Sequence, residues 1–269
     1  MRITRVIGAL AALSLACGCG GEASSSGGAR ELSQGLTYEQ FRDELAVYEP
    51  EYGVYVANGD EAFEGEAALR EFYEASIKPG ALAIYRTSTG DVKWSASQAL
   101  SLSYCVSTKF GANYTRVVNA MASATAEWEA TAGINYVHLS QYDGSCTNRQ
   151  SAVVFDVNPV SSGGQYLARA FFPNASRRSR NVLIDGSSFG NISPWTLTGV
   201  LRHELGHTLG FRHEHTRPEA GTCFEDNQWR ALTPYDSSSV MHYPQCNGTQ
   251  SGDLVLTSSD KSGARSAYP

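Results

Sequence analysis

The stretch from His203 to His215 reads His-Glu-Leu-Gly-His-Thr-Leu-Gly-Phe-Arg-His-Glu-His. On a helix, His203 and His207 lie four residues apart, about 6 Å along the axis and on one face, so both can grip a single metal ion. Glu204 is rotated from His203 by about 100° around the helix. It borders such an ion without being its natural third ligand, the position suited to a general base acting on a metal-bound water. Gly210 can take the left-handed conformation that ends a helix and turns the chain back. That turn would bring His213 beneath the metal. Three protein ligands with an open fourth position are the pattern of catalytic rather than structural zinc. A bare His-Glu-x-x-His arises by chance on helices; the glycine and third histidine at fitting offsets make the pattern specific.

The element that must present these groups is the helix itself. Ser193-Pro194 reads as its start, an N-cap followed by proline in the first turn. From Pro194 to Leu209, Leu197, Leu201, Leu205 and Leu209 fall on one side, opposite His203 and His207. Arg202 and Glu204 are almost its only charges, which predicts a central helix covered on most sides. Gly199, Gly206 and Gly210 would allow another backbone to approach closely.

The run from His203 to Glu214 resembles the extended zinc motif of the metzincin endopeptidases, most closely the astacin-like enzymes, whose version the Gly-Phe-x-His-Glu segment and Arg217 fit. Tyr235-Asp236-Ser237-Ser238-Ser239-Val240-Met241-His242-Tyr243 resembles that group's Met-turn. The run through Glu219 is also similar to the bacterial dual-action HEIGH metallopeptidases, with Leu205 where that name has isoleucine. The specific match spans roughly Ser193 to Tyr243. The resemblance implies zinc ligation by His203, His207 and His213, with Glu204 as general base and proton shuttle. It implies Met241 as the floor of the site and Tyr243 as a mobile phenol that stabilises the oxyanion. Glu214 stands where astacins receive the amino terminus exposed by activation, although no evident activation site appears in this sequence. The implied fold is an α+β zincin domain: a twisted mixed sheet, a central active-site helix and a Met-turn, preceded by a small N-terminal α/β region.

A chain of 269 residues with 42% hydrophobic residues can bury a proper core. A net charge of −6 argues against nucleic-acid binding. Arg2 and Arg5 precede an apolar run from Val6 to Ala16, too short to span a bilayer but suited to a signal segment. Small residues before Cys17 resemble a bacterial lipoprotein processing site. Cys17 is the candidate for lipidation, with Cys19 as the alternative, and a plain secretory signal cut nearby stays open. Cys105, Cys146, Cys223 and Cys246 then remain, an even number that reads as two disulfides in an exported protein, with three possible connectivities. Cys223 follows the metal helix and Cys246 the Met-His-Tyr, favouring Cys223 with Cys246 and, by elimination, Cys105 with Cys146. No Cys-x-x-Cys spacing supports metal binding by them.

The organisation expected is a signal segment over residues 1–16, a Gly/Ser-rich tether over 17–35, a pro-region or cap over 36–94, and the catalytic domain over 95–269. Within the cap, Thr37-Tyr38-Glu39-Gln40 reads as a capping box opening a short helix through Val47. Strands are expected over 53–57 and 81–85, and a helix over 64–74. Phe63-Glu64-Gly65-Glu66 suggests a carboxylate that reaches into a zinc site and keeps a precursor silent; the plainer reading makes Glu64 and Glu66 the acidic first turn of a helix. Beyond Ser95, residues 113–131 form an amphipathic helix and 102–106, 134–139, 152–157 and 181–184 read as strands. His138, in one of these, reads as structural. Residues 165–170 are the candidate cleft edge, binding an extended peptide by strand addition, with an ordinary internal strand as the competing reading.

The function expected is zinc-dependent endopeptidase action, one catalytic zinc per chain, on protein or peptide substrates outside the cytoplasm. The chain is expected as a monomer, attached to a membrane only if Cys17 carries lipid. The alternatives are a catalytically silent zinc-binding or adhesive envelope lipoprotein and a zinc hydrolase acting on a non-peptide amide. Intact Glu204 and Tyr243 disfavour the silent protein.

Overall fold

The computed structural model describes residues 38–57, 59–75 and 83–269. The signal segment, the tether, Cys17, Cys19 and the Thr37 capping position lie outside them. The strands are β1 (Val47–Glu49), β2 (Val54–Ala57), β3 (Glu61–Glu64), β4 (Ile84–Thr87), β5 (Gly90–Asp91), β6 (Leu102–Val106), β7 (Tyr136–His138), β8 (Phe155–Val160), β9 (Ala168–Phe171), β10 (Asn181–Asp185) and β11 (Trp229–Arg230). The principal helices are α1 (Gly65–Ala75), α2 (Tyr114–Glu129), α3 (Leu197–Thr208) and α4 (Ser258–Ala267). Among these described residues no helix is long and apolar enough to cross a membrane.

The main sheet runs β1-β2-β3-β9-β10-β8-β6-β7. It is mixed: β10 and β6 both lie parallel to β8, and β7 is parallel to β6, while β9 runs antiparallel to β10. On its other edge β9 pairs in parallel with β3, with Glu61 opposite Ala170 and Ala62 opposite Phe171. The N-terminal region and the region beyond Ser95 therefore share one sheet. The α+β architecture, with a mixed sheet and a central helix, is the one expected.

Helices α2 and α3 build the core with the sheet. Val117, Met121, Ala124 and Trp128 of α2 are buried, as are Leu197, Leu201 and Leu205 of α3, in one apolar cluster with Leu209 and strand residues such as Phe155, Val157 and Ile184. The Trp128 indole N–H donates to the Arg202 carbonyl at 2.9 Å, so the ring packs its apolar body without orphaning its donor.

Several boundaries differ from the sequence expectation. The metal helix begins at Leu197, capped by the Thr196 side chain, which accepts from the Gly199 N–H; Ser193-Pro194 lies before the cap. Val47 opens β1 rather than closing a helix, because the short helical stretch ends at Leu45. The β4–β5 hairpin, placed by sequence in the N-terminal region, pairs through β4 with β11. Its neighbourhood also holds the turn after α3: the Tyr85 N–H donates to Gly210 O at 2.8 Å and Arg212 N–H to Ala83 O at 2.7 Å.

Candidate metal centre

His203 and His207 project from α3 as the four-residue spacing requires. Gly210, at φ +96°, reverses the chain where the helix ends, and a β-carbon there would meet the Val92 carbonyl oxygen at 2.1 Å. Only glycine accepts both that conformation and that approach. Past the turn, His213 comes back beneath the helix, and its Nε2 lies 3.2 Å from His207 Nε2.

Each ring has its Nδ1 committed. His203 Nδ1 faces Val240 O at 2.8 Å, His207 Nδ1 faces Phe211 O at 2.7 Å, and His213 Nδ1 faces a Glu225 carboxylate oxygen at 2.7 Å. Carbonyl and carboxylate oxygens only accept, so every Nδ1 carries a proton and donates it. On neutral rings this leaves each Nε2 as a bare lone pair. Burial pulls His203 down to about 4, which keeps it neutral. Against the opposing effect of burial, the Glu225 and Asp60 carboxylates raise His213 well above its ordinary value, so that without an ion its Nε2 can carry a proton and donate to His207 Nε2; an ion takes the place of that proton. Two nitrogens each about 2.0–2.1 Å from a tetrahedral zinc are themselves about 3.3 Å apart. The donor set fits zinc.

Glu204 is completely buried, and neither carboxylate oxygen has a hydrogen-bond partner among the described residues. Burial, reinforced by the nearby Asp60 carboxylate, pushes its carboxyl well above the usual range. An unpaired buried carboxylate is costly. A water or substrate proton at this place would relieve it, as expected of a base beside a metal.

The segment read as a Met-turn packs against α3. Gly206 leaves the space into which Met241 fits, since a β-carbon there would stand 2.4 Å from its sulfur. The Met241 carbonyl accepts from Glu214 N–H at 2.8 Å, and the preceding Val240 carbonyl holds His203. The Tyr243 ring stands 4.5 Å from that of His213, and burial, then Asp60, raises its phenol well above its ordinary value. Glu214 is buried: Oε1 accepts from Arg217 at 2.7 Å and from Asp236 N–H at 2.9 Å, while Oε2 has no partner among the described residues. Burial, opposed by Arg217, pushes its carboxyl up to about 8. Cys105 joins Cys146 and Cys223 joins Cys246, each pair with Cα atoms 5.7 Å apart, the pairing that chain order favoured. The second pair ties the segment beyond the third histidine to the segment beyond the Met-turn. His138 sits away from this centre, 3.0 Å from both Asp143 oxygens and stacked on Tyr104.

The residue that sequence reasoning missed is Asp60. Its carboxylate faces all three histidines: Oδ2 lies 3.5 Å from His203 Nε2, and Oδ1 lies 3.4 Å from His207 Nε2 and 3.0 Å from His213 Nε2. It joins them in one cluster of potential ligand atoms. Tyr243 donates to Asp60 Oδ2 at 2.6 Å. A carboxylate from the N-terminal region does enter the site, but not from Glu64 or Glu66. Glu64 accepts from the Ser176 backbone and hydroxyl at 2.8 and 2.6 Å, and Glu66 pairs with Arg42. Asp60 instead follows Gly59, at φ +103°, directly before β3, and its own carbonyl accepts from Ala170 N–H at 3.3 Å on β9. The strand pairing delivers it, and the one signal in the sequence was the Asn-Gly-Asp triplet. The adjacent Glu61 reaches the buried Arg212 at 2.7 Å.

The family model described as Matrixin matches residues 93–220. The chain is 28% identical over 180 residues to Tolloid-like protein 1 of Homo sapiens, covering 58% of this chain and 16% of that one. It is 27% identical over 176 residues to zinc metalloproteinase nas-34 of Caenorhabditis elegans, covering 58% and 26%. The chain thus spans well under half the length of these curated relatives. Among solved structures, that of myroilysin superposes with a TM-score of 0.45 at 16% identity, covering 71% of this chain and 98% of that one.

Proposed function

We propose that the chain is an astacin-like metzincin, a zinc endopeptidase that hydrolyses peptide bonds outside the cytoplasm and that is latent in this structure. The observation that carries the reading is the convergence of the Nε2 atoms of His203, His207 and His213 beside a buried Glu204 whose carboxylate has no hydrogen-bond partner among the described residues. His203, His207 and His213 would hold a zinc ion, which would supply Lewis-acid chemistry to the scissile carbonyl and to water. Glu204 takes the proton of the attacking water and passes it to the leaving amine. The Tyr243 phenol, once released from Asp60, donates to the developing oxyanion. Residues 168–171 offer a strand edge to an extended substrate, in the position that β3 takes in this structure.

Residues 36–75 act in this reading as the silencing segment. Asp60 stands where the substrate carbonyl and the attacking water must be, and holds Tyr243 as well. The β4–β5 hairpin belongs with the catalytic part, since it braces the Gly210 turn. Two disulfides support an oxidising location. The reading is tested with purified protein on casein or a quenched peptide, before and after removal of the N-terminal segment, with and without chelator. Chelator-sensitive cleavage that rises on removal is expected; cleavage indifferent to both treatments refutes it.

A further inference from the structure

His203 and His207 give their Nδ1 protons to neutral backbone carbonyls, whereas His213 gives its proton to the carboxylate of Glu225 at 2.7 Å. The same oxygen, Oε1, lies 3.0 Å from His215 Nε2. The tautomer of His215 follows from its other nitrogen: Nδ1 accepts from the Tyr243 backbone N–H at 3.1 Å, so the proton is on Nε2 and is donated to Glu225. The second carboxylate oxygen, Oε2, faces Arg212 at 3.4 Å. The rings of His213 and His215 stack with centroids 4.6 Å apart and planes 20° from parallel. The ring of Tyr243 stands 4.5 Å from each. Glu61 also approaches His213 Nδ1, but at 3.8 Å, beyond hydrogen-bond reach.

We infer that Glu225 is a positioning residue for the third metal ligand, and that His215 extends its hold to the backbone of Tyr243. The carboxylate fixes the His213 tautomer, aims Nε2 at the ion and makes that imidazole the most electron-rich of the three ligands. Through His215 the same oxygen ties the ligand to the residue that carries the phenol, so His213 and Tyr243 are placed as one unit. His213, His215 and Glu225 also form a group able to hold an ion of their own. The hydrogen bonds argue against that use, because the two nitrogens that would face a second ion already carry protons directed at Glu225.

The inference rests on His213 being a zinc ligand, and the experiment separates the two claims. Zinc affinity is measured on the full chain by competition with a chelating indicator, with zinc content by elemental analysis, the visible spectrum of the cobalt(II)-substituted protein, and Tm of the metal-free form. The variants are Glu225→Gln, Glu225→Ala, His215→Phe and, as control, His213→Ala. Glu225→Gln keeps an accepting oxygen and loses the charge; a loss of about 10-fold in zinc affinity is expected, and about 100-fold for Glu225→Ala. His215→Phe shifts the cobalt spectrum and leaves one zinc per chain. Wild-type zinc affinity and cobalt spectrum in Glu225→Gln overturn the positioning role, whatever happens to the Tm of Glu225→Ala. Two zinc ions in the wild type with one lost in Glu225→Ala also overturn it, making Glu225 a ligand. If His213→Ala binds zinc as the wild type does, the ligand assignment itself fails.

Discussion

Asp60 and Tyr243, 183 positions apart in sequence, are joined by a hydrogen bond of 2.6 Å from the phenol to the carboxylate Oδ2. One contact therefore engages both the group facing the histidines and the group assigned to the oxyanion. Replacing Asp60 by Ala is expected to raise the peptidase activity of the full chain by about 10-fold or more, a carboxylate's hold on the site being worth at least about 1.4 kcal/mol. The measurement is initial rate on a quenched peptide. No increase on an otherwise folded, zinc-loaded variant would show that the segment silences by covering the cleft rather than through this side chain.

Glu204→Gln preserves shape and removes the base. Zinc content should stay at the wild-type level while turnover falls by about 100-fold or more, the contribution ordinarily made by a placed general base. It is measured on the chain freed of residues 36–75. Retained turnover would refute the assigned role.

Removing the metal takes away the ion that the Nε2 atoms of His207 and His213, 3.2 Å apart, would share. A chelator is expected to abolish cleavage and lower Tm, and stoichiometric zinc to restore both, because an ion bound only by the native state stabilises it by mass action. Calorimetry with and without chelator checks this. An unchanged Tm would separate the cluster from any metal.

The segment has a second anchor far along the sheet. Arg169 on β9 is fully buried and its guanidinium engages Glu49 of β1, whose other oxygen accepts from Tyr166. Glu49→Ala strips a buried cation of that partner, which typically costs about 3–5 kcal/mol. The expected outcome is a lower Tm of the full chain with raised basal cleavage. A lower Tm without raised cleavage would confine Glu49 to folding.

Gly210→Ala forces a β-carbon to 2.1 Å from the Val92 carbonyl at a φ of +96°. Strain of about 1–3 kcal/mol for the backbone alone, plus the clash, should displace His213, so zinc affinity and Tm should fall together. Wild-type zinc affinity in this variant would show that the third ligand reaches its place without the turn.

The convergence of the three candidate metal ligands was legible in the sequence because their geometry is local. A four-residue spacing on a helix, a glycine past its end and a histidine three residues beyond are set by helix pitch and one backbone conformation. The leucine side of α3, helix α2 and the central strands were legible for the same reason, since hydrophobic period reports the face that must be buried. Strand addition at residues 165–170 was legible as a possibility only. Which strand fills that edge depends on the pairing of β3 with β9, between residues more than a hundred positions apart, and no periodicity encodes a partner. Asp60 reaches the histidines through that pairing. Glu225 reaches His213 through a loop with no regular structure, and His215 takes its tautomer from a backbone N–H of the Met-turn. Local spacing determined what this chain can bind; only the tertiary structure decided which carboxylates face the site, because side-chain convergence across distant segments is set by packing and register rather than by any repeat in the chain.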